Sequence, residues 1–334
     1  MATALVFFAT RSSDNGAAVT PAASSSAAAA APFASPSAGP TVLKGLVISS
    51  AARLATPIPP YFSSSWADAH PPADAPGITA QGAIVVDLAS QQIMYAKNID
   101  ERRPPASIMK IMTAMVTLDQ VKPSQELSVS RDAANMEPNR MGLSVGEELT
   151  VQDLLYGMLL DSGNDAARAL ADGLPGGLDG FIHRMNDKAA SFGLTNTHFV
   201  DVAGLDDDNY TTPYDMAVLA DAALSGYPTI RTVVSTKQAS IPGTATHKPF
   251  APINLNDLLW DYPGTYGMKV GYTDAAEYTI ILAAQKDNHN VLIVLLGSKH
   301  HFTEGKQLFD WAFGHIPAPD GAPIRKFATN LEKA

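Results

Sequence analysis

The sequence predicts an α+β fold, an antiparallel β-sheet flanked by helices and interrupted by a large helical insertion. Two observations carry this: short β-branched runs lie towards both ends of the foldable region, and Ala- and Leu-rich segments of helical character fill the middle. The composition agrees. Hydrophobic residues make up 46% and charged residues 17% of the 334, enough apolar material for a sizeable core.

The first strand is Ala83-Ile84-Val85-Val86-Asp87, and after a polar break at Ser90-Gln91-Gln92 the run Ile93-Met94-Tyr95-Ala96 completes a hairpin. Pro104-Pro105 ends the extended segment. Residues 107–121, free of Gly and Pro and rich in Met, Ile and Ala, read as a helix. Thr150 with Asp153 makes a capping-box-like start for a helix over 151–160, and further helices are expected over 164–171, 178–192 and 213–224. After Gly264 the pattern returns to strand, with runs over 278–283 and 291–296 separated by the turn-forming Asp287-Asn288-His289-Asn290. A last helix over 303–313 carries Leu308, Trp311 and Ala312 at i, i+3, i+4 spacing.

Residues 1–75 carry only Arg11, Asp14, Lys44, Arg53, Asp68 and Asp74 as charges and are otherwise dominated by Ala, Ser, Pro and Thr, which reads as a disordered tail. Its opening, Ala2 to Thr10, is apolar but short and lacks a positively charged leader; a truncated signal or anchor and an ordinary frayed terminus both stay open. The expected organisation is therefore a tail over 1–75, one domain over 76–315, and a short C-terminal tail over 316–334. There is no internal repeat.

With 33 acidic against 23 basic side chains the net charge is −10, too acidic for a generic nucleic-acid binder. The absence of cysteine excludes disulfides, a cysteine nucleophile, thiolate zinc sites and iron–sulfur clusters. No run approaches the roughly 18 uninterrupted apolar residues of a transmembrane helix.

The strongest local feature is Ser107-Ile108-Met109-Lys110, directly after two prolines at the start of an apolar helix. Positions i and i+3 share a helix face, so the lysine amine can reach the serine hydroxyl. Burial among Ile108, Met109, Ile111 and Met112 disfavours the charged amine and makes it a better proton acceptor. Alone the pattern is also that of an N-cap serine and a snorkelling lysine. Two further clusters follow in order: Asp161-Ser162-Gly163-Asn164-Asp165 in the helical middle, and Lys269-Val270-Gly271-Tyr272-Thr273 ahead of the strand pair.

This ordered trio resembles that of the serine D-alanyl-D-alanine carboxypeptidases, the low-molecular-mass penicillin-binding proteins. Arg140-Met141-Gly142-Leu143, the stretch from Asp153 to Leu160, Asn196-Thr197-His198-Phe199 and Gly204-Leu205-Asp206-Asp207 add to the resemblance, which runs from about Gly82 to His315. It implies the transpeptidase fold of penicillin-binding proteins and β-lactamases. It also implies removal of the terminal D-alanine from peptidoglycan stem peptides through a serine acyl-enzyme, sensitive to penicillins. Ser107 is then the nucleophile, Lys110 the base for acylation and Ser162 a proton relay to the leaving amine. Asn164 holds the substrate amide and Lys110, Lys269 supplies positive charge near the substrate carboxylate, and the N–H groups of Ser107 and Tyr272 form the oxyanion hole. Gly271, Val270 and Thr273 complete the substrate-binding strand.

Two positions depart from the family pattern. Val270 stands where the family has threonine, removing a hydroxyl that helps fix the substrate carboxylate, with Thr273 or the Tyr272 hydroxyl as partial replacements; Glu277 stands where glycine is common. Many relatives carry a further β-rich domain with an amphipathic anchor. Membrane attachment is therefore expected, if at all, through the N-terminus, and the site of action outside the cytoplasmic membrane.

The resemblance implies no cofactor and no metal. His301-Phe302-Thr303-Glu304 has zinc-peptidase spacing but reads as a solvated helix start. Asp206-Asp207-Asp208-Asn209 reads as a loop rather than a calcium site, and Gly173-Leu174-Pro175-Gly176-Gly177 as a turn between helices. An endopeptidase or β-lactamase on the same machinery, and a catalytically silent cell-wall-binding homologue, are the rival functions; the presence of both Ser107 and Lys110 counts against the silent one.

Overall fold

Strict alternation along the β-branched runs buries both faces of one sheet, each beneath its own helical layer. The structure, a computed structural model, describes residues 61–64, 74–287 and 289–316. Strands β1 (Gly82–Asp87) and β2 (Gln92–Lys97) form the expected hairpin. A 3-10 turn over Ala106–Met109 leads into α1 (Lys110–Gln120). The insertion continues with β3 (Glu126–Ser128), α2 (Arg131–Ala134), β4 (Glu148–Thr150), α3 (Val151–Leu159), α4 (Asn164–Asp172) and α5 (Gly177–Ser191). It closes with α6 (Pro213–Gly226), α7 (Pro228–Ser235) and α8 (Leu258–Asp261). The chain then returns through β5 (Thr265–Thr273), β6 (Glu277–Lys286), β7 (His289–Ser298) and α9 (His301–His315).

The five long strands run in the order β2-β1-β7-β6-β5, every neighbour antiparallel, and β3 pairs with β4 in a separate two-stranded sheet. Ile84, Val86, Ile281, Leu292, Val294 and Leu296 face the helical insertion. Their neighbours Ala83, Val85, Ile280, Leu282, Ile293 and Leu295 face α9, where Leu308, Trp311 and Ala312 meet them as the spacing predicts. A one-residue slip would exchange these two sets, so the apolar pattern sets the register.

Two of the longer helices start at threonine caps. Thr150 Oγ1 accepts the Asp153 N–H at 3.1 Å, and Thr212 Oγ1 accepts that of Asp215 at 3.0 Å ahead of Pro213. Each cap contributes about 1 kcal/mol.

The structure adds detail where long-range contacts decide. The stretch that carries Lys269 is itself a strand, β5, rather than a lead-in to the strand pair. Most of residues 1–75, and residues 317–334, lie outside the described residues. Six residues of the segment read as tail are described, 61–64 with 74 and 75; Asp74 accepts from Trp311 Nε1 at 3.2 Å, and Phe62 is buried with its ring 6.0 Å from that of Tyr214 while its N–H donates to Tyr214 Oη. Tyr61 donates to Asp221 at 2.6 Å, and the Ser63 backbone exchanges hydrogen bonds with Gln91 and Ile93 at 3.0 and 2.8 Å. A Pro/Ala/Ser-rich composition conceals the anchor at 61–64, in which Tyr61 and Phe62 make side-chain contacts with the domain.

Candidate active site

After Pro104-Pro105 the chain turns sharply. Ala106 adopts φ +48°, and the Pro105 carbonyl accepts the Thr279 hydroxyl of β6 at 2.8 Å, tying the turn to the sheet. The 3-10 turn leaves Ser107 half-buried at the mouth of a cleft while Lys110, the first residue of α1, is fully buried. The i, i+3 relation brings Lys110 Nζ to 2.7 Å from Ser107 Oγ.

Lys110 Nζ has two other neighbours, Asn164 Oδ1 at 2.8 Å and the Ala203 carbonyl at 2.7 Å. Both are acceptors only. A neutral amine therefore spends its two protons on Asn164 and Ala203 and presents its lone pair to the Ser107 hydroxyl, the one neighbour with a proton to give. Burial pushes the Lys110 amine down to about 7, against the opposing pull of Asp201 and Asp165.

Those two carboxylates shape the surrounding loops. Asp165, fully buried, accepts the N–H groups of Met141, Gly142 and Leu143 at 2.8–2.9 Å, and so holds the Arg140-Met141-Gly142-Leu143 stretch against α4. Asp201 accepts from Ala203, Gly204, Leu205 and Asp206 at 2.6–2.9 Å, which aims the Ala203 carbonyl at Lys110. Gly204 is obligatory in that loop: its φ is +83°, and a Cβ there would lie 2.1 Å from the Ala106 carbonyl oxygen.

Ser162 is buried after α3 with φ +62°, a left-handed backbone that costs a non-glycine residue about 1–2 kcal/mol, and it lines the cleft. Its neighbour Asp161 accepts the Ile253 N–H, and Leu255 N–H donates to the Leu160 carbonyl. On the opposite side β5 passes close to the nucleophile. A Cβ at Gly271 would lie 2.7 Å from both Ser107 N and Thr279 Oγ1, so only glycine lets the strand approach.

The cavity, about 480 Å³, is lined by Ser107, Ser162, Asn164, Val270, Gly271 and Tyr272 among the expected residues. Lys269 and Thr273 are not on its lining. Lys269 is 1% exposed, its Nζ donates to the Val270 carbonyl at 2.9 Å, and burial followed by repulsion from Lys110 drives its pKa well below the usual lysine value. Thr273 Oγ1 accepts the Ala276 N–H at 3.0 Å within the β5–β6 turn.

Residues 69–300 match the family described as D-alanyl-D-alanine carboxypeptidase, Peptidase_S11. The chain belongs to this family. Within it, the D-alanyl-D-alanine carboxypeptidase DacF of Bacillus subtilis is 34% identical over 243 residues, 70% of this chain and 62% of that relative. DacB2 of Mycobacterium tuberculosis is 34% identical over 265 residues, 75% of this chain and 90% of the relative. The chain thus spans under two thirds of the first relative's length and most of the second's. Among solved structures, the Streptomyces K15 DD-transpeptidase superposes with a TM-score of 0.68 at 32% identity, covering 72% of this chain and 99% of that one. A D-alanyl-D-alanine carboxypeptidase from Mycobacterium tuberculosis H37Rv gives 0.68 at 33%, covering 73% and 96%. The family fold, a helix-flanked antiparallel sheet, is the one the sequence predicts.

Sequence reasoning did not single out Asp165 and Asp201 as organisers of this site; their backbone acceptor role leaves no local signature. It also missed the far wall of the cleft, where Tyr278, His301 and Phe302 join Tyr272. One expectation needs correction. The segment 301–304 does begin a helix with Thr303 exposed, but its carboxylate is not solvated: Glu304 is buried and accepts from Thr79 N, Thr79 Oγ1, Ala80 N and Ser298 Oγ. Four donors offset the cost of burying the carboxylate and hold its pKa below the usual glutamate value despite burial.

Proposed function

We propose that the protein is a penicillin-sensitive D-alanyl-D-alanine carboxypeptidase that trims the terminal D-alanine from peptidoglycan stem peptides outside the cytoplasmic membrane. The observation that carries this reading is the contact between Lys110 Nζ and Ser107 Oγ at 2.7 Å, with every other Lys110 neighbour an acceptor. Lys110 takes the hydroxyl proton as Ser107 Oγ attacks the carbonyl between the two D-alanines. The backbone N–H groups of Ser107 and Tyr272 receive the developing oxyanion, in a strand whose approach Gly271 makes possible.

Ser162, facing the same cavity, relays the proton to the leaving amine of D-alanine. Asn164 Oδ1 fixes Lys110, and its Nδ2, which donates one proton to the Glu137 carbonyl at 2.9 Å, has a second for the substrate amide. Lys269 acts from beneath β5: the arrival of a substrate carboxylate favours its protonation, and that charge stabilises the carboxylate in return. Water then hydrolyses the Ser107 ester, a step that penicillins, once opened on the serine, undergo slowly.

The test is labelled penicillin on the purified chain, with mass spectrometry of the modified peptide and D-alanine release from a peptide ending in D-Ala-D-Ala. An ester on Ser107 together with release supports the proposal. Labelling at another residue, or folded protein that neither labels nor releases D-alanine, overturns it.

A further inference from the structure

The loop that carries the Ala203 carbonyl is gathered onto one side chain. Asp201 Oδ1 accepts the N–H groups of Ala203 and Gly204 at 2.9 and 2.6 Å, and Oδ2 accepts those of Leu205 and Asp206, both at 2.8 Å. An amide of the same size could accept only half of these, because its nitrogen is itself a donor. Buried Asn209 steadies the approach to the loop, its Oδ1 accepting the Val200 N–H at 2.9 Å. On the inner side the Val202 carbonyl accepts Thr113 Oγ1 at 2.8 Å, one turn along α1 from Lys110.

The Ala203 carbonyl that this loop presents stands 2.7 Å from Lys110 Nζ and 3.4 Å from Ser107 Oγ, and the next two residues, Gly204 and Leu205, line the cavity. Charged groups act on the Lys110 amine from three elements: Asp201 from the loop, Asp165 from α4 and Lys269 from β5. Burial is the strongest influence and disfavours the ammonium; of the two carboxylates that oppose it, Asp201 acts more strongly than Asp165. Lys269, a like charge, acts in the same sense as burial.

We propose that Asp201 is a positioning residue for acylation: its carboxylate, gathered under four N–H groups, aims the Ala203 carbonyl at Lys110 and supplies the countercharge for the proton that Lys110 takes from Ser107. The inference rests on the proposed Ser107 acyl-enzyme and deepens it. As Oγ bonds to the substrate carbonyl carbon, its proton passes to the Lys110 lone pair. The ammonium so formed keeps its bonds to Asn164 and Ala203 and donates its third proton back to Oγ. Asp201 offsets the new charge without touching the substrate, while the four N–H groups hold the carboxylate in place.

Placement and charge separate by variant. Asp201→Asn keeps the size, removes the charge and retains one oxygen acceptor; Asp201→Glu keeps the charge but displaces it by a methylene group. The experiment measures the rate of fluorescent-penicillin labelling of Ser107 in the full-length protein from pH 5 to 9, with circular dichroism on each variant. Asp207→Asn, at an exposed carboxylate of the same loop, is the control for net charge. Loss of the Asp201 charge makes the ammonium less favourable, so the midpoint should fall by about one pH unit, the low end for a half-buried partner. The ratio of rates at pH 8 and pH 6, about tenfold in wild type, then drops to about twofold in Asp201→Asn. In Asp201→Glu the midpoint should hold while the plateau rate falls about tenfold as the carbonyl loses its aim. Asp207→Asn should leave both unchanged. A midpoint unmoved in folded Asp201→Asn, an equal shift in Asp207→Asn, or a plateau unchanged in Asp201→Glu overturns the positioning role and leaves the carboxypeptidase reading standing; if the asparagine variant does not fold, the glutamate variant decides alone. Absence of both D-alanine release and a Ser107 ester in wild type overturns that reading and the positioning role with it.

Discussion

The pH dependence of acylation follows from the burial of Lys110. If the neutral amine is the base, the rate of labelling by penicillin tracks the neutral fraction, with a midpoint at the amine's value of about 7. That fraction is about 9% at pH 6, about half at pH 7 and about 91% at pH 8, so labelling should accelerate about tenfold from pH 6 to 8 and then level off. A solvent-exposed lysine would instead gain about tenfold per pH unit up to about pH 10. The assay is stopped-flow or quenched labelling with a fluorescent penicillin at constant ionic strength, on wild type and on Lys110→Ala, whose labelling should be strongly suppressed. Linkage adds a second readout. Because the folded-state value lies below the unfolded one of 10.5, the unfolded chain binds more protons between about pH 7 and 10.5, and stability rises with pH across that window. Wild type should therefore gain on Lys110→Met in urea melts as pH increases from 7 to 10. A labelling midpoint near 10, or a rate that does not change between pH 6 and 8, would refute the lone-pair argument.

Val270→Thr restores a hydroxyl on the cleft lining, which Thr273 does not reach and where the Tyr272 hydroxyl donates to Asp274. A hydrogen bond to a charged carboxylate contributes about 1.5–3 kcal/mol, and kcat/KM for D-alanine release should rise roughly 10- to 150-fold; an unchanged value places the carboxylate elsewhere. Gly271→Ala forces β5 away from the Ser107 N–H and should slow penicillin acylation by about 100-fold or more with the fold retained by circular dichroism. Glu277 sits at φ +54° and accepts from Gln81 at 3.0 Å. Both Glu277→Gly and Glu277→Ala lose that bond, but only alanine keeps the strain, so glycine should be the more stable by about 1 kcal/mol in urea melts, the reverse of the usual strand preference.

The elements and the three motifs were legible because they are local. The hairpin β1–β2, the caps at Thr150 and Thr212, and the i, i+3 pair Ser107 and Lys110 each depend on residues a few positions apart. Glu277 was legible as an oddity, and its positive φ explains why glycine suits the position. What escaped depends on distant partners. That Lys269 lies beneath its strand, beside Lys110 rather than on the cleft surface, follows only once β5 crosses the 3-10 turn. Likewise His301 and Glu304 read as a solvated helix start until β6 and the Thr79 segment close over them.

The sheet treats its two ends differently. Along β2 the free groups near Gln91 and Ile93 are partly taken by Ser63, a short stretch of the same chain held down by the buried Phe62. Among the described residues strand β5 pairs with β6 alone, and β5 residues line the cleft. Unpaired strand edges invite other chains and are a route to aggregation unless something limits what fits them. Here the limit is architectural: the open edge is recessed in a cavity of about 480 Å³ and flanked by the Ser162 and Leu205 loops. Such a recess excludes a second folded sheet while leaving room for a single extended peptide, so protection from self-association and access for a peptide ligand come from the same wall.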